Sequence, residues 1–399
     1  MKPASRRIDA IDALRGFALA GILLVNIQSF AWGAGNPLGY FPSPPAPHEQ
    51  LLFLVLAVAV AGKFYAIFAL LFGAGFAMQL RRMRRLSGSR ARASGMYARR
   101  VAFLAVVGLL HGTLLYFGDI LTTYAACAAL LLPFAWLRAA GWARLTRRLW
   151  LLAAAILAVL AASSAVPVPP GEEGEVPDVA AIPAAQRTAF AIYAHEGYAA
   201  QLPRRVEDDL DQAIGSIPTA WPQVLALFAL GTLAGRLGWL RHPERFARVW
   251  RIAWFVGLGV GLPAALAAGV AHLAAIRDRP GAEGGIDGWL LDLSTLLSFA
   301  YVAAFVRWRA AAPMRAAMRW LAPAGRMPLT NYLLQSVAMG VLLSGWGLGW
   351  AASATRARLA ALALAIYAAQ LVASRAWLAF RPQGPVEAVW RRFTYGAAA

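Results

Sequence analysis

Apolar stretches of 18 residues or more recur along the whole chain, and they restrict its fold more than any other feature. Each is long enough to cross the hydrocarbon core of a bilayer as an α-helix. The 399 residues are 60% hydrophobic and 14% charged, whereas soluble domains are about half apolar. The sequence therefore predicts an all-α, polytopic membrane protein whose first partner is the lipid bilayer.

Ten of these stretches are predicted to be transmembrane helices. They cover residues 12–32, 51–80, 99–117, 119–138, 149–166, 220–238, 250–274, 288–308, 327–350 and 357–378. Residues 167–219 separate an N-terminal membrane block of five spans (1–166) from a C-terminal membrane block of five (220–399). This segment is rich in proline and acidic residues, so we expect an outer loop with one or two short helices. A solvated spacer is favoured over a lid or an acceptor-docking element.

The formal charge of +19 is distributed asymmetrically. If the N-terminus is inside, 30 of the 38 lysines and arginines fall in connections on that same side. The positive-inside rule assigns this side to the cytoplasm, and an even number of spans then places both termini there. Topology and anionic lipid account for the basic loops, so no nucleic-acid partner is predicted.

Ionisable side chains within the spans are the first candidates for chemistry, because they are costly there and usually face a cavity or a partner. The strongest are Lys63, His111, Asp119 and Asp292. The supporting polar residues are Asn26, Gln28, Tyr65, Arg326, Thr330, Asn331, Gln335 and Ser336. A histidine can take and return a proton near neutral pH, so His111 is a candidate general base. A packing histidine with satisfied hydrogen bonds is the alternative.

Asp119 follows Gly118 at the turn between two predicted spans. It is placed either to cap the helix that follows or to act together with His111. In an ideal hairpin that turns at residues 118–119, the two side chains would be roughly 11 Å apart along the helix axis. The sequence therefore predicts two groups on the wall of one outward-facing cavity, not a direct pair.

Other polar residues are candidates for binding because they share helix faces. Asp12 and Arg15 are three residues apart on the first span, and Asn26 lies about three turns further along. Asn331 and Gln335 are spaced i,i+4 in the ninth span, where amides either join helices or line a polar pocket. With one cysteine and no motif with metal-ligand spacing, no metal site is predicted.

Five segments carry a family resemblance, in the order IDALRGFALAGILLVNI, GKFYAIFALLFGAGF, RRVAFLAVVGLLHGTLLYFGDILTTYA, GRMPLTNYLLQS and GPVEAVWRRFTY. With them the chain resembles the bacterial multi-pass membrane proteins of domain of unknown function 418, often called YeiB-like. That family is distantly similar to transmembrane acyltransferases such as heparan-α-glucosaminide N-acetyltransferase. The D-x-x-R-G opening and following asparagine of those enzymes fall on Asp12, Arg15, Gly16 and Asn26. Their paired-arginine start falls on Arg99 and Arg100.

The resemblance implies acyl transfer from cytoplasmic acyl-CoA to an envelope acceptor at the outer side of the bacterial inner membrane. In this reaction His111 would be the general base, and Asp119 would orient the acceptor or polarise a histidine through water. The candidate binding residues are Asp12, Arg15, Asn26, Lys63, Arg99, Arg100, Arg326, Asn331 and Gln335. Among them, Arg15, Arg99 and Arg100 are expected at the CoA phosphates, and Asn331 or Gln335 at the developing oxyanion.

Two other functions remain open. A proton-coupled transporter of a small solute would use Lys63, His111, Asp119 and Asp292 as a relay, and a structural partner in the envelope would need none of them. The acyl group, the acceptor and the oligomeric state, including a homodimer, are left undecided by the sequence.

Overall fold

The computed structural model describes residues 9–32, 46–164, 181–218, 220–278 and 292–396. All regular secondary structure in these ranges is helical, which confirms the predicted all-α class. The helices before residue 165 are α1 (Asp9–Trp32), α2 (Pro47–Ala59), α3 (Lys63–Ser87), α4 (Arg90–Leu114), α5 (Leu121–Leu131) and α6 (Ala139–Ser164). Those that follow are α7 (Ala181–His195), α8 (Tyr198–Gly215), α9 (Ala220–Leu237), α10 (Ala247–Val256), α11 (Leu262–Asp278), α12 (Leu297–Arg307), α13 (Ala312–Arg326), α14 (Pro328–Leu343), α15 (Arg356–Phe380) and α16 (Pro385–Tyr395).

Within the described ranges, five helical stretches are long and apolar enough to cross a bilayer, which supports the membrane class. They are Ala10–Trp32, Pro47–Ser87, Arg90–Leu114, Pro243–Ala271 and Arg356–Phe380. Other predicted spans contain shorter helices: α5 and α12 have 11 residues each and α14 has 16. Eleven residues of helix extend about 17 Å, roughly half of the hydrocarbon thickness. The count of ten spans stays a prediction, and residues 288–291 of one predicted span lie outside the described ranges.

The predicted span 51–80 is not one straight helix. The chain breaks between α2 and α3, where Gly62 has a left-handed φ of 78°. The amides of Val60 and Ala61 both donate to the carbonyl of Leu56. The carbonyl of Ala57 therefore lacks its usual donor four residues ahead, and another group must satisfy it.

Helices from the two predicted membrane blocks pack against each other. In particular, α3 lies along α9, where the Thr232 hydroxyl donates to the carbonyl of Gly73 (3.2 Å). Helix α1 packs along α13 and also contacts α15. In the described residues, the blocks 1–166 and 220–399 thus contribute to one shared helical bundle.

The segment 167–219 is not the solvated spacer that its composition predicts, as far as its described residues show. Helices α7 and α8 pack on the bundle, and Arg205 in α8 is 2% exposed. Arg205 and Tyr198 donate to the carbonyl of Leu114 at 2.7 and 2.8 Å. The last carbonyls of a helix have no intrahelical partner, so α8 supplies donors to the end of α4. Residues 167–180 lie outside the described ranges.

Candidate active site

Three polar side chains meet in the apolar interior between α4, the turn before α5, and α14. The Nδ1 atom of His111 lies 2.9 Å from Oδ1 of Asp119, and its Nε2 atom lies 2.8 Å from Oγ of Ser336. His111 and Ser336 are each 1% exposed, and the Asp119 side chain is 2% exposed. We call this arrangement the Asp–His–Ser triad.

The two contacts of the triad assign the donor and acceptor roles for a neutral His111 ring beside an ionised Asp119 carboxylate. An ionised carboxylate only accepts hydrogen bonds, so Nδ1 of His111 donates to Asp119. The Nε2 atom is then the acceptor, and the Ser336 hydroxyl donates to it. This is the arrangement in which a carboxylate orients a histidine and the histidine can accept a proton from a hydroxyl.

The direct contact between His111 and Asp119 contradicts the predicted separation of about 11 Å. The ideal hairpin is wrong because α4 ends at Leu114 and α5 begins only at Leu121, so the turn is longer than two residues. In the last turn of α4, the amide of Tyr116 donates to the carbonyl of His111 (2.8 Å). This i+5 bond widens the helix end and brings Asp119 back toward α4.

Gly108 allows the turn to lie close against α4. A Cβ atom at this position would be 2.9 Å from Oδ2 of Asp119 and 2.7 Å from the amide nitrogen of Thr122. Asp119 also has the capping geometry, because its Oδ2 accepts from the amide and the hydroxyl of Thr122 at 2.8 and 2.9 Å. One carboxylate therefore holds both the start of α5 and the ring of His111.

A cavity of about 310 Å³ adjoins the triad. Its histidine end is lined by Ile120, Leu121, Tyr124 and Tyr332. The Tyr332 ring lies 4.8 Å from the His111 ring, centroid to centroid. His111 and Ser336 do not line the cavity, so Tyr332 forms the wall between the cavity and the triad.

The opposite, arginine end of the cavity is strongly basic. It is lined by Arg15, Arg82, Arg100, Arg326 and Arg391, together with Asp12 and Glu387. Five arginines and two carboxylates leave a formal charge of +3. Glu387 is engaged with α14, since its Oε1 atom accepts from the amides of both Leu329 and Thr330. Asp12 pairs with Arg15 at 3.2 Å.

Arg100 lines the arginine end of the cavity and lies on the same helix, α4, as His111. Its guanidinium stacks on the Trp390 ring, 3.3 Å from the centroid. Its Nε is buried without a hydrogen-bond partner among the described residues. Arg100 and His111 are eleven residues apart on one helix, about 16 Å along its axis. The Tyr332 ring separates the cavity from His111, so Arg100 lines the cavity directly and His111 adjoins it only through Tyr332.

Several predicted binding residues lie elsewhere. Arg99 is exposed and does not line the cavity, although its neighbour Arg100 does. Asn26 is half-buried on α1 and is also absent from the lining. Asn331 donates to Ala324 and Ser374, and Gln335 donates to Gln370 at 2.9 Å. These two amides join α14 to α13 and α15, and neither faces the cavity.

Lys63 belongs to a different polar cluster, at the break between α2 and α3. It is 0% exposed and its Nζ donates to the carbonyl of Ala57 and to Oγ of Ser294, both at 2.9 Å. Asp292 lines a second cavity, of about 260 Å³, with Gln223 and Trp150. No described residue lines both this cavity and the one beside the triad.

Tyr332 and Asp209 were not singled out from the sequence, and Ser336 was named only as a supporting polar residue. Ser336 and Tyr332 are spaced i,i+4 on α14, so the spacing places them on one face. Asp209 on α8 adjoins Gly112, one residue after His111. Burial and the charge of Asp119 raise the pKa of Asp209 to about 6. Helix α8 carries six charged residues in 18 and lies outside the five spans.

The described residues contain no group of three or more His, Cys, Asp or Glu side chains placed to hold a metal ion. The chain is thus a multi-pass helical protein of the membrane class, with a buried Asp–His–Ser contact beside a basic cavity. Residues 234–397 match the sequence profile of a family described as "Protein of unknown function (DUF418)". This match confirms the resemblance to domain of unknown function 418, and the segments GRMPLTNYLLQS and GPVEAVWRRFTY lie within the matched residues.

Three relatives are similar over almost the whole chain. The uncharacterized protein YxaH of Bacillus subtilis is 26% identical over 98% of this chain and 95% of its own length. The uncharacterized protein YeiB of Escherichia coli is 28% identical over 97% of this chain and 96% of its own length. An uncharacterized 39.9 kDa protein of Bacillus acidopullulyticus is 28% identical over 98% of this chain and 94% of its own length. No solved structure matches.

Proposed function

We propose that the protein is a membrane-bound acyltransferase, which moves an acyl group from cytoplasmic acyl-CoA to an acceptor at the outer side of the bacterial inner membrane. One observation carries the proposal. A single cavity has an arginine-rich end and an end walled by Tyr332, whose ring packs on the buried His111, about 16 Å from Arg100 along α4. This geometry suits a donor with a polyanionic head and a reactive group at the end of a long arm.

The two ends of the cavity would act on different parts of acyl-CoA. Guanidinium groups at the arginine end would bind the CoA phosphates, because charge-assisted hydrogen bonds to phosphate are strong and geometrically specific. The arm would lie between apolar walls that include Phe68 and Phe72. The thioester would then reach the histidine end, where His111 takes a proton and Asp119 stabilises the resulting imidazolium.

The charge pattern of the sequence supports the direction of transfer. The five arginines of the cavity come from the sequence ranges 1–15, 81–100, 307–326 and 375–392. All four are connections that the positive-inside rule assigns to the cytoplasm when the chain has ten spans and cytoplasmic termini. Helix α8, from the predicted outer loop, packs at the end of α4 near His111. We therefore assign the arginine end to the cytoplasmic side.

Release of free CoA tests the proposal. Purified protein in nanodiscs would be given acetyl-, succinyl- or palmitoyl-CoA with a panel of hydroxyl and amine acceptors. We expect acceptor-dependent release of CoA, and a loss on the order of 10²- to 10⁴-fold in His111→Ala, since general-base catalysis contributes that much.

His195→Ala is the matched control, because His195 is exposed at the end of α7 and should leave the rate unchanged. Equal rates in His111→Ala and the wild type would remove His111 from the mechanism. No CoA release with any donor and acceptor would count against the acyltransferase.

A transporter of a small solute is the second candidate, and the break before Lys63 favours it. Discontinuous helices with freed carbonyls mark the binding sites of many transporters. Solute counterflow in proteoliposomes without CoA, abolished by Lys63→Met, would favour transport. CoA release that survives this substitution favours the enzyme.

A further inference from the structure

Ser336 occupies the position of a nucleophile in the Asp–His–Ser triad. Its Oγ lies 2.8 Å from Nε2 of His111, within normal hydrogen-bond distance. The opposite nitrogen of the ring is held by Asp119 at 2.9 Å, and Asp119 is in turn held by two donors of Thr122. A serine hydroxyl is a weak nucleophile by itself and becomes reactive when an oriented base can take its proton.

We propose that Ser336 carries the acyl group as a covalent ester between donor and acceptor. This inference rests on the acyltransferase proposed above and specifies its chemical route. The lone pair of Nε2 faces Ser336, so the serine is the first hydroxyl that His111 can deprotonate. Direct attack by the acceptor would instead require the acceptor to replace Ser336 at this nitrogen.

The route is balanced and needs no further reactant. Ser336 Oγ attacks the thioester carbonyl carbon while its proton passes to Nε2 of His111. The C–S bond then breaks, Nε2 returns the proton to the sulfur, and free CoA leaves. An acceptor hydroxyl or amine next attacks the serine ester, its proton passes to Nε2, and the proton is returned to Ser336 Oγ as the acylated product forms.

Tyr332 controls access to Ser336 in this route. Tyr332 precedes Ser336 by one helical turn, lines the cavity and packs on His111. Because Ser336 is 1% exposed, the thioester reaches it only when the Tyr332 ring rotates away. The cavity wall thus keeps water from the ester until a donor or an acceptor enters.

Two measurements test the ester. In the first, protein in nanodiscs is incubated with [1-¹⁴C]acetyl-CoA without acceptor, quenched in acid and digested. We expect label on the peptide that contains Ser336, released by hydroxylamine, in the wild type and Ser336→Cys but not in Ser336→Ala or His111→Ala. In the second, a fluorophosphonate probe, which needs no acyl-CoA, should label Ser336 in the wild type and lose this label in His111→Ala.

Ser344→Ala is the matched control, because this serine is also buried (2% exposed) and ends the same helix. Size-exclusion profiles and thermal unfolding show whether each variant is folded. Acceptor-dependent CoA release by Ser336→Ala at the wild-type rate, with no acetyl-protein in the wild type, would overturn the ester and leave direct acyl transfer intact. Absence of fluorophosphonate labelling at Ser336 would also overturn it. No CoA release with any donor would defeat the acyltransferase and the ester together.

Discussion

Two buried polar clusters in this protein each contain an ionisable residue within a predicted apolar span, but they differ in what surrounds them. One is the Asp–His–Ser triad and the other is Lys63 with Ser294 and the carbonyl of Ala57. Both lie in the apolar interior, and the side chains of His111 and Lys63 are almost completely buried. In each, a polar group that would be costly alone is satisfied by hydrogen bonds.

The difference is in the partners. All hydrogen bonds of the His111 ring go to ionisable or hydroxyl side chains, which can exchange protons with a substrate. One bond of Lys63 goes to a backbone carbonyl that the helix break leaves without its usual donor. The triad adjoins a cavity through Tyr332, whereas Lys63 does not line that cavity. Burial alone therefore does not distinguish the two clusters, but their hydrogen-bond partners do.

The largest effect is expected at Asp119. In Asp119→Asn the side chain still offers an oxygen to Thr122, but the charge that stabilises the His111 imidazolium is lost. We expect kcat for CoA release to fall by roughly 10²- to 10⁴-fold. Thr122→Val removes the hydroxyl donor to Asp119 and keeps the backbone donor. Its kcat for CoA release should therefore stay within about threefold of the wild-type value. Equal losses in the two variants would mean that Asp119 acts only as a helix cap.

The next effect separates binding from chemistry at the arginine end. Arg100→Gln should raise KM for acyl-CoA roughly tenfold to hundredfold with kcat almost unchanged. This is the result expected when the lost charged hydrogen bond is equally strong in the ground state and in the transition state. Arg99→Gln is the control, because Arg99 is adjacent in sequence and exposed. Steady-state kinetics with varied acyl-CoA measures both constants. A similar rise in KM in both variants would indicate general electrostatic attraction, not a site.

A smaller effect is expected on stability at Asp209. Its pKa is about 6 in the folded protein, against 3.8 for a free side chain. Between pH 4 and pH 6 the unfolded chain therefore loses this proton first, and rising pH destabilises the fold through this group. Because Asp209 is only partly buried, solvent screening limits this contribution to about 1 kcal/mol.

Thermal unfolding in nanodiscs at pH 4.5 and pH 7 checks this, and Asp209→Asn should remove the part due to this carboxyl. Asp211→Asn, on the exposed side of the same helix, should leave the pH dependence as it is. An unchanged pH dependence in Asp209→Asn would mean that this carboxyl titrates near its free value.

The smallest effect on activity is expected at Lys63. Lys63→Met keeps roughly the length of the side chain but removes the hydrogen bonds from Nζ to the Ala57 carbonyl and to Ser294 Oγ. We expect a loss of about 1–3 kcal/mol in the free energy of unfolding and CoA release within about threefold of the wild type. A loss of CoA release as large as that of His111→Ala would make Lys63 part of the reaction and erase the distinction between the two clusters.

The sequence predicted the elements better than their contacts. Long apolar stretches such as that of α1 identify membrane helices, and the depth of His111 and Lys63 marked them as unusual. The contact between His111 and Asp119 was not predictable from an ideal hairpin, since it depends on the i+5 bond to Tyr116 and on the close approach at Gly108. Both features involve backbone geometry that residue spacing does not specify.

Contacts between helices that are far apart in the sequence were equally unpredictable. Ser336 is 225 residues from His111, and nothing in GRMPLTNYLLQS indicates that Ser336, and not Asn331 or Gln335, faces α4. Likewise, the charged residues 204–211 suggest a solvated helix. Arg205 is nevertheless buried, because its guanidinium donates to the carbonyl of Leu114 at the end of α4. Such pairings follow from tertiary packing, which periodicity alone leaves open.

A cryo-electron-microscopy map of the protein in nanodiscs with a non-hydrolysable thioether analogue of acetyl-CoA tests the central claim most directly. The account predicts density for the phosphates beside Arg15 and Arg100, and density for the arm along the cavity toward Tyr332. The acyl end should lie within reach of His111 and Ser336. An empty cavity at saturating analogue, or an analogue bound with its phosphates away from the arginine end, would contradict the account.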